Sequence, residues 1–386
     1  MRILFLCGCL EPAKDGVGDY VRSLAESCIL QGHECRMIAL NDRYVSHSKE
    51  SADLVGETEL ISLRLPATLP WAQRIKLAEA FRTQFQADWL SFQFVCYGFD
   101  DKGIIWNLNR HFQALLAGCH VHVMFHEVWI GLHLNAPLKR RVVGALQRLS
   151  IRRMCAKIKP QLVTTSNPLY RSALESIGVA SSLLPLFGNI PIIDRSLTQS
   201  FPAQLGDAGI TPGNRSEWWL GLFFGDLYQW KPEPFMSILK GAAQKAGKRI
   251  CLLSLGRSGA VGQTIWRELQ RDHPDISFLT LGEQPLETVS IFMQTADFGI
   301  AASPWQMIGK SGSATAMLEH GLPVIVARDE DQFRFAVSEP PSTDPLFHCC
   351  DEKLESKLVS GLSKTSPHPR REEIAARFCS MLDKNS

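Results

Sequence analysis

A chain of 386 residues is too long for one ordinary core, and 45% hydrophobic with 21% charged residues is the make-up of a soluble globular protein, so two domains are expected. A formal net charge of only +2 argues against a dedicated nucleic-acid binder, and nothing approaches the roughly eighteen consecutive apolar residues of a membrane span. Eleven cysteines, odd in number and without a CxxC pair, read as reduced thiols of a cytoplasmic protein.

The chain opens with MRILFLCGCLEP, whose single Arg and short apolar run ending at Pro12 fit a first buried strand better than a signal peptide. Ile3 to Cys7 is that strand. DGVGDYVRSLAESCILQGHECRMIAL continues as a Gly-containing turn, an amphipathic helix and a second strand, with Leu24, Cys28 and Ile29 at helical spacing and Gly32 closing the helix. Gly16 and Gly18, with Val17 between them, lack the third Gly of a dinucleotide fingerprint, so NAD binding does not follow. Small residues at a helix start nevertheless let a ligand approach the backbone. Residues 50 to 115 alternate strand-like and helical patterns, with LSFQFVCYGF the clearest buried strand.

HVHVMFHEVW places an apolar strand, Val121 to Phe125, directly before His126 and Glu127. Strand C-termini of open parallel sheets face the ligand crevice, so His126 stands where a catalytic or substrate-contacting imidazole belongs, with Glu127 and Trp129 beside it. A capping or structural role is the plain alternative. A metal site from His120, His122 and His126 is disfavoured because the first two fall inside the strand. Residues 139 to 159 carry Lys139, Arg140, Arg141, Arg148, Arg152, Arg153, Lys157 and Lys159 and no acid, a basic amphipathic helix that is either a solvated face or a peripheral contact with an anionic membrane surface.

QLVTTSN is a further strand, and SSLLPLFGNIPI closes the first half. Residues 191 to 216, rich in Ser, Pro, Gly, Thr and Asn, read as a linker. The βα pattern then restarts with WWLGLFFGDL and runs through PFMSILKGAAQKAG, RICLLSLG, TIWRELQRDHP, ISFLTLG and TVSIFMQTA. It reaches ADFGIAASPWQMIGKSGSATAMLEHGLPVIV, a strand, Gly-rich loop, helix and strand in one unit. Lys310, Ser311, Gly312 and Ser313 stand just before the helix, where backbone N–H groups and a Lys converge on a phosphate or another anion. GKS is also the tail of a Walker A loop, but Pro304 occupies the place of its first Gly, which disfavours a P-loop ATPase. A Gly-rich turn with a solvated Lys and no ligand is the plain alternative. PHPRREEIAARFCSMLDKNS ends the chain as one helix.

Two such domains, GVGDYVRSLAESCILQGHE after the first strand, FGDLYQWKP opening the second half, and ADFGIAAS followed by a loop and HGLPVIV resemble the retaining GT-B glycosyltransferases of family 4 over nearly the whole chain. The resemblance implies an α/β fold of two doubly wound Rossmann-like domains facing a central cleft. Residues 1–190 would be the acceptor-side domain, 191–216 a linker, 217–365 the nucleotide-sugar domain, and 366–386 a helix crossing back to the first. It implies Gly16, Val17 and Gly18 near donor and acceptor, His126 on the transferred sugar, and Lys231 on the diphosphate. The family's Arg is Asp226 here, and its two glutamates, eight apart, fall on Ile308 and Ala316. Lys310 with its following loop and Arg257 at a strand end are the candidates to compensate, and Glu319 lies three residues past the second glutamate position.

The implied reaction moves a sugar, such as a hexose, from a nucleotide diphosphate sugar to a sugar, glycan or small hydroxyl acceptor with retention, and demands no cofactor or metal. Two other readings stay open. One is a degenerate relative that binds nucleotide sugar or glycan without turnover, and the other a non-transferase of the same fold, such as an epimerase or phosphorylase.

Overall fold

A computed structural model describes residues 1–55, 58–116, 118–194, 201–227, 231–328 and 332–385, with the side chains of residues 109 and 114 outside the description. The chain divides into two compact units: Met1–Pro185 with Gln332–Glu339 and Arg371–Ser386, and Leu186–Asp331 with Pro340–Arg370.

The first unit runs β1 (Arg2–Cys7), α1 (Gly16–Leu30), β2 (Glu34–Asp42), β3 (Lys49–Val55), β4 (Thr58–Pro66), α2 (Trp71–Phe85), β5 (Trp89–Phe94), α3 (Trp106–Leu116), β6 (His120–Phe125), α4 (Leu138–Ile158), β7 (Leu162–Thr165), α5 (Pro168–Glu175) and β8 (Ser182–Leu183). Its sheet has the order β3-β4-β2-β1-β5-β6-β7-β8, parallel except where the edge strand β3 pairs antiparallel with β4. β1 is apolar and buried along almost its full length and β5 is buried throughout, as strands covered by helices on both faces must be. KESADLV of β3 instead alternates towards exposure, which suits a sheet edge.

The second unit runs β9 (Trp218–Phe224), α6 (Glu233–Ala246), β10 (Arg249–Leu255), α7 (Ala260–Asp272), β11 (Ser277–Gly282), α8 (Leu286–Thr295), β12 (Phe298–Ala301), α9 (Gly312–Glu319), β13 (Val324–Val326), β14 (Phe347–Cys349) and α10 (Leu354–Ser360). Its strands are parallel in the order β11-β10-β9-β12-β13-β14. The pleat divides the core: Leu220 and Leu222 pack with Phe292 and Met317 on one face, while Phe223 and Leu252 pack with Phe235, Leu239 and Trp266 on the other.

The stretch read as a linker needs correction. Leu205 and Ile210 are fully buried in the core of the second unit, and 3-10 turns form at Ala203–Ala208 and Arg215–Glu217. The described residues of this segment, 191–194 and 201–216, therefore belong to that unit; residues 195–200 lie outside the described residues.

The last helix, α11 (Arg371–Asp383), belongs to the first unit. Phe378 is fully buried between Phe5 of β1, at 5.8 Å between ring centroids, and His122 of β6, at 5.3 Å. Arg371 meets the buried carboxylate of Glu26 at 2.8 Å. Phe378→Ala is expected to lower the stability of this unit by about 3–5 kcal/mol, the usual loss for truncating a core Phe. Urea titration checks it, and a change below about 1 kcal/mol would mean that α11 is not part of the core.

Candidate functional site

In the second unit the chain runs from β9 outward to one side of the sheet and later returns through β12 on the other, so β9 and β12 mark the point where strand order reverses. Loops at strand C-termini there form a crevice in parallel sheets. Gly225, at φ +87° just after β9, brings the chain against the start of α9: a Cβ on it would lie 3.9 Å from Ser313 Cβ. Gly256, at φ +96° after β10, crosses beside it, 3.3 Å from Gly225 N by the same measure. Three segments that the sequence singles out, around Asp226, Arg257 and Ser313, thus meet at one edge of one sheet.

The expected open loop before α9 is more ordered than its glycines suggest. Trp305–Lys310 forms a 3-10 turn, and Ser311 caps α9 by accepting from Ala314 N at 3.2 Å. Ser311 Oγ also lies 3.2 Å from Ser313 Oγ. The N–H groups of Gly312 and Ser313 have no partner among the described residues, and a Cβ on Gly312 would meet open space. Two backbone donors and the positive end of a helix therefore point outward beside the half-buried Lys310.

The other candidates are placed differently. Asp226 Oδ1 accepts from Gly259 N at 2.9 Å, where α7 begins, so its carboxylate caps that helix. Arg257 is drawn to Glu283 at 2.8 Å in an exposed pair, an interaction worth at most about 1 kcal/mol. Glu319 is buried and accepts from Gly188 N at 2.8 Å, while its carbonyl accepts from His368 N at 2.7 Å; it holds the chain together inside the unit. Ile308 and Ala316 are likewise buried, and a side chain at Gly188 would come within 2.8 Å of Ala316 Cα, so the backbone occupies the space a glutamate at 316 would need. Lys231 is exposed at the start of α6; Tyr228 to Trp230 lie outside the described residues.

In the first unit, Asp15 Oδ1 accepts from Val17 N at 2.8 Å and Gly18 N at 3.1 Å. The N–H groups of Val17 and Gly18 are therefore already taken by a carboxylate. Gly18 packs directly on the carbonyl of Cys9, a contact that admits no Cβ, whereas Gly16 faces open space. Two residues on, Tyr20 meets the His126 ring edge-to-face at 5.1 Å. This brings the first turn of α1 and the end of β6 to the same place. Glu127, the next residue, is half-buried.

His126 is 9% exposed, and its Nε2 lies 2.8 Å from Gln93 Oε1. Behind it runs a buried polar line. Gln93 Nε2 donates to Ser91 Oγ at 2.8 Å, Ser91 Oγ lies 2.9 Å from His122 Nδ1, and His122 Nε2 lies 2.8 Å from Thr164 Oγ1. With the Gln93 amide oriented this way, every donor points inward, from His126 to Thr164. His126 is then protonated on Nε2, and its Nδ1 lone pair has no partner among the described residues. Burial pushes both His126 and His122 down to about 3, so both rings are neutral at physiological pH.

Sequence reading missed Gln93, Ser91 and Thr164. A signal was present: Ser91, Gln93 and His122 break apolar strands with period two, which puts them on a common face of buried strands. Of the other two histidines near this strand, His122 has partners for both nitrogens within the line and His120 stacks on Trp89 at 5.1 Å. Two cavities, of about 710 and 420 Å³, lie at strand starts, one beside Arg2, Asp88 and His120 and the other beside Trp218, Arg249 and Ser277. They are at the opposite ends of the strands from these candidates.

No protein-family model matches the chain, and no curated protein matches it in sequence. Solved structures match over its whole length. Sucrose-phosphate synthase from Thermosynechococcus elongatus has a TM-score of 0.59 at 14% identity, covering 100% of this chain and 98% of its own. The catalytic domain of starch synthase IV from Arabidopsis thaliana, bound to ADP and acarbose, gives 0.59 at 13%, covering 100% and 98%. Anabaena HepE in complex with UDP and glucose gives 0.55 at 13%, covering 100% of both. The chain shares with these proteins the GT-B fold of two Rossmann-like α/β units.

The buried histidines give a prediction with a definite sign. The unfolded chain binds protons near pH 6.5 that the folded chain refuses until about pH 3, so stability is flat above about 6.5 and falls below it. The slope should reach roughly 1.4 kcal/mol per pH unit for each histidine. Urea unfolding between pH 7.5 and 4.5 should show His122→Asn less stable at the upper end but with a shallower fall. Parallel curves for the two proteins would contradict the neutral, buried assignment.

Proposed function

We infer that this protein is a glycosyltransferase that moves a sugar from a nucleotide diphosphate sugar to a hydroxyl acceptor. The observation that carries the reading is the start of α9. Two unpartnered backbone N–H groups and Lys310 stand at the reversal point of a parallel sheet, in a fold whose similar structures include proteins bound to ADP and to UDP with glucose. The donor diphosphate would lie there, with Lys231 and Arg257 as further cations and Arg257 leaving Glu283 for phosphate. As the sugar departs, negative charge grows on the diphosphate, and preorganised N–H groups and ammonium groups stabilise it more in the transition state than before. These groups supply the counter-charge without a metal in the reading.

His126 is the candidate sugar contact. A neutral imidazole whose Nε2–H is held by Gln93 offers Nδ1 as an acceptor for a sugar hydroxyl. Retention of configuration and a hexose as the transferred group are supported by the motif resemblance. One observation favours a second reading, a protein that binds nucleotide sugar without turnover: the buried packing of Ile308 and Ala316 leaves no carboxylate where the resembled family grips its donor.

Calorimetric titration with UDP, GDP, ADP and their sugars separates these readings from a ligand-free turn. Lys310→Ala should weaken the preferred diphosphate by about 1.5–3 kcal/mol, the scale of a hydrogen bond to a charged group. Unchanged affinity would remove the loop from the site. His126→Ala should keep donor affinity and folding yet slow single turnover by roughly tenfold or more, about one lost hydrogen bond in the transition state. A mutant several degrees less stable but fully active per folded molecule would return His126 to a structural role, and absence of transfer by the wild type with every acceptor class would leave the non-catalytic reading.

A further inference from the structure

Helix α4 is fixed to the first unit by one face. Gly144 lies flush against the Ile130 carbonyl, too close for a Cβ, and Ile151, Met154 and Ile158 are buried. Gln147 is held three ways, accepting from Ile130 N at 3.0 Å and donating to Tyr97 Oη at 3.0 Å and to the Lys102 carbonyl at 2.8 Å.

The opposite face is aliphatic. Leu138, Val142, Leu146 and Leu149 are 72, 54, 41 and 39% exposed, and their spacing of four, four and three residues makes one continuous ridge along the helix. Helical geometry puts Arg141, Arg148 and Arg152 along one edge of this ridge and Lys139 and Lys157 along the other. The charge is local and one-signed: no Asp or Glu occurs between Glu127 and Glu175, in a chain whose net charge is only +2. α3, which packs on α4, carries Arg110 and no acid either.

We propose that the outer face of α4 is a docking surface for an anionic lipid bilayer, with the aliphatic ridge entering the headgroup boundary and the flanking Arg and Lys side chains reaching back to lipid phosphates. A nucleic acid would match the cations but would leave the ridge facing its polar backbone. An acidic protein would need a groove to receive a convex ridge with cations on both edges. A bilayer accepts both features together, since aliphatic side chains gain by leaving water and long cationic side chains keep their heads among the phosphates. The inference rests on the first unit alone and stands apart from the assignment of a sugar donor.

The test is sedimentation of the full chain with sucrose-loaded vesicles of phosphatidylcholine alone or mixed with phosphatidylglycerol at three to one. The wild type should bind the mixed vesicles, release in 0.5 M salt, and ignore pure phosphatidylcholine. Arg141→Gln/Arg148→Gln/Arg152→Gln should weaken binding by roughly a hundredfold, about fivefold for each cation. Leu146→Ser/Leu149→Ser should weaken it by about tenfold or more through lost apolar burial. All substituted residues are on the exposed face, and thermal melts should match the wild type. Failure of the wild type to bind mixed vesicles overturns the proposal. So does a Leu variant that binds as the wild type does, because the surface would then be a general anion attractor that also fits nucleic acid or an acidic protein.

Discussion

Parallel pairing is the constraint on which the candidate sites depend. Strands that all run the same way deliver their connections to one edge, and where the order reverses, neighbouring loops diverge and leave a crevice. In the second unit that point lies between β9 and β12, and the loops after β9 and β10 and the start of α9 gather there. In the first unit the strands β1 and β5 flank the corresponding point, and His126 ends the next strand, β6. Sequence determines this indirectly, by making the central strands apolar on both faces so that helices must cover them.

Within that geometry, carboxylates decide which helix start is open to an anion. α1 is capped by Asp15 and α7 by Asp226, and each carboxylate cancels the partial positive charge that its helix would present. α9 is capped by the neutral Ser311, which takes one N–H and leaves those of Gly312 and Ser313. Of the three starts that the glycine pattern brings forward, α9 alone keeps its field. At position 226, where the resembled family has Arg, the Asp carboxylate fastens the start of α7.

The two α/β units and the βαβ unit around α9 were legible because apolar runs, helix-closing glycines and the order of elements are local signals. LSFQF and HVHVM also contained the polar line, as period-two interruptions, but which interruption meets which depends on register: Ser91 pairs with His122, and Thr164 reaches them only through β7. Register is a long-range property that one strand does not display. The segment after residue 200 was misread for a related reason. Its Ser, Pro and Gly content describes an irregular backbone, and the same content says nothing about Leu205 and Ile210 being covered by the second unit. Glu319 stands near a family position in sequence, but its burial against Gly188 is a tertiary fact that spacing does not show.

The most direct measurement of the central claim is amide hydrogen exchange by mass spectrometry, with and without a saturating nucleotide diphosphate. If the donor diphosphate sits on the α9 start, peptides spanning residues 308–316 should become protected while those spanning the Asp15-capped start of α1 keep their exchange rate. Protection elsewhere with residues 308–316 unchanged would contradict the account, because the unpartnered N–H groups of Gly312 and Ser313 would then have no part in holding the ligand.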